Sequence, residues 1–79
     1  MRRVGQTISV RTQDSCPTQI SWNGDTLRVE DLIECWVHQT GWWKPKGGER
    51  RVYYRLRTES GIIDVYRSGE EWTLSRVVD

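Results

Sequence analysis

Polar and apolar positions alternate with a period of two toward the end of the chain, most clearly in Arg50-Arg51-Val52-Tyr53-Tyr54-Arg55-Leu56-Arg57. In a strand, Val52, Tyr54 and Leu56 point one way, and Arg51, Tyr53, Arg55 and Arg57 point the other. Ile62-Ile63-Asp64-Val65-Tyr66-Arg67 and Trp72-Thr73-Leu74-Ser75-Arg76-Val77-Val78 repeat the pattern, separated by turn signals at Glu59-Ser60-Gly61 and Ser68-Gly69-Glu70. Three strands joined by tight turns are predicted. With Ser60-Gly61 as the first loop, Arg57 faces Asp64 and Arg55 faces Tyr66; the other register sets Arg55 against Asp64 and Tyr53 against Tyr66. Both registers keep the same residues on the same face. The second turn sets Val65 against Leu74 and Arg67 against Trp72, and turns Asp64, Tyr66, Thr73 and Ser75 outward.

Earlier in the chain, Ile8 and Val10 alternate with Thr7, Ser9 and Arg11, which predicts a first strand at a sheet edge. The basic start, residues 1–6, is a candidate for disorder. Asp14-Ser15-Cys16-Pro17 reads as a turn or loop, and Asn23-Gly24 as a type I′ hairpin turn that pairs Ile20 with Leu27. The run from Leu27 to Gln39 fits two patterns. As a helix it lines up Val29, Leu32, Ile33, Trp36 and Val37; as a strand it lines up Leu27, Val29, Ile33, Cys35 and Val37. The missing cap and the β-branched and aromatic content favour a long, bent strand with a bulge near Asp31 and Leu32. The alternative is a short helix over about residues 29–38. Gly41, Pro45, Gly47 and Gly48 then exclude regular structure.

Six strands in sequence order predict an all-β fold, a small and strongly curved antiparallel meander of the SH3-like or partly open barrel kind. Its expected core is Ile20, Leu27, Val29, Ile33, Val52, Tyr54, Leu56, Ile63, Val65, Trp72 and Leu74. At 79 residues the chain is one domain, and with only 35% hydrophobic residues the core depends on few large side chains. Five Trp and three Tyr supply them, and the absence of Ala also favours strands over helices.

The formal net charge of +1 implies no general attraction to nucleic acid, but the charges are segregated. Lys44, Lys46, Arg50, Arg51, Arg55 and Arg57 outweigh Glu49 in one segment, and Asp25, Glu30, Asp31 and Glu34 outweigh Arg28 in another. Pairing between neighbouring strands is the favoured explanation, and steering of a partner the alternative. Cys16, Cys35 and a single His, His38, fall short of a structural zinc site, and no phosphate loop or nucleophile motif occurs. The reading is a non-enzyme with no cofactor and no membrane segment, in a reducing cytoplasm. Cys35 is expected in the core and Cys16 in a loop. Trp42 and Trp43 point to opposite sides of an extended chain, so one of them covers the core edge or meets a partner.

The spacing of Gly41-Trp42-Trp43, Arg51-Val52-Tyr53-Tyr54-Arg55-Leu56, Val65-Tyr66-Arg67 and Trp72-Thr73-Leu74 resembles the C-terminal tail of ImuB-type proteins, non-catalytic relatives of Y-family translesion polymerases. Over about residues 19–79 the chain is also similar to a family of short, free-standing bacterial proteins of unknown function. The ImuB-type tails end in His-Gly where this chain has Ser75-Arg76. The resemblance implies an adaptor near mutagenic DNA repair, with Trp42, Trp43, Arg51, Tyr53 and Tyr54 at the matching positions. The expected function is a protein-interaction module whose binding surface joins Trp42, Trp43, Lys44, Lys46, Arg50 and Arg51 to Tyr53, Arg55, Arg57 and Tyr66. Two alternatives stand beside it: single-stranded nucleic-acid binding through that surface, and self-assembly through an exposed edge strand.

Overall fold

The structure is a computed structural model and describes residues 2–40 and 49–78. Six strands, β1 (Arg2–Gln13), β2 (Cys16–Trp22), β3 (Asp25–Thr40), β4 (Glu49–Thr58), β5 (Gly61–Ser68) and β6 (Glu71–Val77), pair antiparallel in chain order. β6 returns to β1 and closes a barrel. The fold is therefore all-β, as the alternation predicts, and residues 29–38 are strand rather than helix.

Local chemistry sets the turns. Asp14 and Ser15 (φ 53 and 66) join Gln13 to Cys16, and Asn23 and Gly24 (φ 53 and 79) join Trp22 to Asp25. Positive φ at both central residues is the type I′ geometry that matches strand twist, and Asn, Asp and Gly tolerate it best. Cys16 and Pro17 accordingly lie inside β2 rather than in a loop. Glu59-Ser60 makes the β4–β5 turn, where Thr58 Oγ1 accepts from the Ser60 amide at 3.1 Å and donates to the Gly61 carbonyl at 2.9 Å. This selects the register with Arg55 opposite Asp64 and Tyr53 opposite Tyr66.

The core gathers Ile8, Ile20, Leu27, Tyr54, Leu56, Ile63, Val65 and Leu74, with Val29, Val52 and Trp72 packed at its margin. The Tyr54 and Trp72 rings meet at 5.4 Å between centroids. Two expectations fail on β3. Ile33 is 45% exposed rather than in the core, and Cys35 is exposed as well. Ile33 is the extra residue of a bulge, because Leu32 faces Leu56 while Glu34 faces the adjacent Arg55. Cys35 does share a face with buried Tyr54, its cross-strand partner, but no strand lies beyond it. β2 pairs with β3 only at residues 25–28, so from residue 29 onward the described strand pairing of β3 is with β4 alone. β1 pairs on both sides, with β2 and β6, rather than lying at a sheet edge, because the barrel closes on it.

Candidate interaction surface

Strict alternation on β4 turns Arg51, Tyr53, Arg55 and Arg57 away from the core, and register then decides what stands beside each. Along one row, Glu34, Arg55, Asp64 and Arg76 sit on the successive strands β3, β4, β5 and β6. The signs alternate. Arg55 donates two hydrogen bonds to Asp64, Nε to Oδ1 at 2.8 Å and Nη2 to Oδ2 at 3.0 Å. Arg76 Nε lies 3.6 Å from the same carboxylate, and Arg55 Nη1 lies 3.9 Å from Glu34. Asp64 is only 1% exposed although it points away from the core, and the guanidinium groups of Arg55 and Arg76 both lie against its carboxylate. A bidentate, charge-assisted pair of this kind fixes side-chain geometry as well as contributing energy. The hydrogen bond to Asp64, then its charge, raises the Arg55 pKa further above its ordinary value, so Arg55 is a permanent cation.

A bulge completes this row. Val65 pairs with Leu74, so an unbroken ladder would set Asp64 against Ser75; instead Asp64 pairs with Arg76. Ser75 is the inserted residue, and Arg76 takes the place that alternation assigns to Ser75. The sequence pattern cannot show this, since a bulge at a polar residue leaves both registers plausible.

The adjacent row is aromatic. Trp36, Tyr53 and Tyr66 occupy paired positions on β3, β4 and β5. Trp36 and Tyr53 stack with centroids 5.2 Å apart and planes 3° from parallel, while Tyr53 and Tyr66 are 5.1 Å apart and tilted by 39°. His38 meets Tyr53 edge-on at 6.4 Å. Two guanidinium groups from β4 add to the row: Arg51 lies 4.6 Å from the centroid of the Tyr66 ring and Arg55 lies 5.6 Å from that of the Trp36 ring. Shallow depressions of about 340 and 350 Å³ flank the row, both lined by Arg51, Tyr53 and Arg76. A larger open groove of about 700 Å³ lies elsewhere, between β1 and the β5–β6 turn, and its ionisable lining is Glu70 and Glu71.

Arg51, Tyr53, Arg55 and Tyr66 of the expected surface are brought together. Arg57 stands apart at the rim, bonded to Asp31 at 2.9 Å with both side chains 55% exposed, and Arg50 is exposed near the start of β4. Tyr54 faces the core. Trp42, Trp43, Lys44 and Lys46 lie outside the described residues. Trp36, His38 and Arg76 belong to the surface although the sequence reading does not include them. The signal for Trp36 was present: it has the same parity as Glu34 and His38, so extending the β4 register across β3 puts it beside Tyr53. Of the segregated charges, Asp31 and Glu34 on β3 face Arg57 and Arg55 on β4.

Among the described residues, no group of three or more His, Cys, Asp or Glu side chains is placed to hold a metal ion. No described helix is long and apolar enough to cross a membrane. The molecule is thus a small antiparallel β-barrel whose outer face carries a charged row beside an aromatic one. It belongs to the family described as a domain of unknown function (DUF6504), which matches residues 1–79. No curated protein and no solved structure matches the chain.

Proposed function

We propose that this barrel is a non-catalytic adaptor that binds a protein partner through the outer face of β3, β4 and β5. The supporting observation is the stack of Trp36, Tyr53 and Tyr66 with Arg51 and Arg55 against its rings, Arg55 being anchored by two hydrogen bonds to the buried Asp64. Trp, Tyr and Arg are the residues that dominate protein interfaces, and side chains already fixed in place lose little entropy on binding. The same stack argues against a base-stacking platform. Bases need open ring faces, whereas here Tyr53 lies between Trp36 and Tyr66, and guanidinium groups lie over the Tyr66 and Trp36 rings. Pairing of Arg55, Arg76 and Arg57 with Asp64 and Asp31 also reduces what remains for phosphate. The resemblance to ImuB-type tails directs the search for a partner to replication and translesion-repair proteins.

The test is calorimetric titration of purified sliding clamp and Y-family polymerase components into wild type and into Tyr53→Ala/Tyr66→Ala. Saturable binding weakened at least tenfold in the double variant is expected. Binding unchanged by the substitution, or none to any component, refutes the proposal. A labelled single-stranded oligonucleotide tested by anisotropy at two salt concentrations checks the competing reading. Tight binding that falls steeply with salt would replace the adaptor with a nucleic-acid binder.

A further inference from the structure

β1 is longer than the strand that closes the barrel on it. Its pairing with β6 stops at Ile8 opposite Trp72 and β6 itself begins at Glu71, while β1 runs on to Gln13 paired with β2 alone among the described residues. Two contacts fix the direction of its backbone groups. Gln13 and Cys16 flank a two-residue turn, and the Arg11 carbonyl accepts from Thr18 Oγ1 at 3.3 Å, so Arg11 and Gln13 turn their amides and carbonyls toward β2. Alternation then points the amides and carbonyls of Val10 and Thr12 the other way, along the line that β6 leaves at its turn. Val10 also lines the open groove of about 700 Å³ beside that turn. Ile8, Val10 and Trp72 supply the apolar lining of this groove, Thr7, Ser9 and Ser68 supply hydroxyls, and its ionisable lining is acidic, Glu70 and Glu71, both exposed. Arg67 lies 5.8 Å from the centroid of the Trp72 ring but does not line the groove.

We infer that this groove binds an extended segment of a protein partner, added to β1 as an antiparallel strand in line with β6 and basic at its C-terminal end. This goes beyond the outer-face proposal and does not rest on it. An antiparallel orientation repeats that of β6, and the backbone groups of Val10 and Thr12 offer main-chain hydrogen bonds to a segment of any sequence. Charge sets its polarity. The C-terminal end of such a segment meets Glu70 and Glu71, so Lys or Arg belongs there, while the other end passes Arg11, which disfavours a cation. A second copy of this chain does not suit the same edge, because a two-fold ladder of residues 9–13 centres on Arg11 and opposes two like charges.

Amide-resolved NMR titration tests this with a capped peptide of four alternating threonines and valines followed by two lysines. Saturable binding is expected, with shifts confined to residues 9–13 and the β5–β6 turn. Glu70→Gln/Glu71→Gln, which alters exposed side chains only, should weaken it about fivefold. A peptide ending in two glutamates, and the lysine peptide N-methylated at every amide, should not bind, since the first lacks the charge and the second the backbone donors. No saturation at millimolar lysine peptide overturns the inference. So does equal affinity for the glutamate or N-methylated peptide, an affinity unchanged in the double variant, or shifts centred on Tyr53 and Tyr66. Self-association through residues 9–13 that excludes the peptide would overturn it in favour of a second copy.

Discussion

β3 and β4 are neighbours with matched alternation, yet the residues they direct to the same side have opposite fates. On β4, Leu56 is fully buried and Tyr54 nearly so; directly opposite on β3, Leu32 is 40% exposed and Cys35 is exposed. The difference lies in their neighbours. Among the described residues, β4 has a strand on each side, and beyond Arg28 β3 has one. Alternation therefore tells which way a side chain points, while depth depends on how many strands lie beyond it.

The largest effect expected from breaking this contrast is Leu56→Ala, which leaves a cavity in the core and costs about 2–5 kcal/mol, whereas Leu32→Ala costs less than about 1 kcal/mol. Urea unfolding of the two variants measures the difference, and equal losses would mean that β3 is covered in solution. The outer face gives a second contrast, since Arg55 and Arg57 both pair with acids. Asp64→Ala removes a buried acceptor from Arg55 and Arg76 and should cost about 1.5–3 kcal/mol. Asp31→Ala breaks an exposed pair on β3 and should cost about 0.2–1 kcal/mol, most of it lost in high salt. Thermal melts at low and high salt separate the two.

The smallest effect concerns alkali. Burial, partly offset by the charge of Arg67, raises the Tyr54 pKa above its ordinary 10.0. The fold prefers the neutral phenol, so this contribution is complete below pH 10.0 and is lost as pH rises through the raised value. Melts from pH 9 to 11 should show stability falling less steeply in Tyr54→Phe than in wild type. Identical slopes would place Tyr54 in a more solvated environment.

Much of this architecture was legible because strand chemistry is local. Asn23-Gly24 announces its turn, and Val52, Tyr54 and Leu56 announce their face. Cross-strand neighbours were legible only where a short turn fixed the count, as between Tyr53 and Tyr66. Arg76 was hidden because it lies beyond an inserted residue, Ser75, and an insertion at a polar position reverses parity without leaving a hydrophobic signature; Trp36 had the outward parity, and only the β3–β4 register places it beside Tyr53. The pattern points Ile33 and Cys35 at the core because it carries no record of the bulge at Ile33 or of where β2 stops covering β3.

Those insertions share a level in the barrel. Around the Asp64 row, Leu56 and Arg55 on β4 are adjacent in sequence, as are Val65 and Asp64 on β5. The matching step on β3 includes Ile33, that on β6 includes Ser75, and that on β1 includes Val4 and Gly5, with Gly5 at φ 66. The strands are therefore of unequal length between the same two levels, shortest at β4 and β5 and longest at β1, like staves cut to bend a cask toward one side. Bulged strands bend and twist more strongly, so shape and chemistry are written in different residues here. Removing Ser75 would leave Arg76 opposite Asp64 and change the curvature alone.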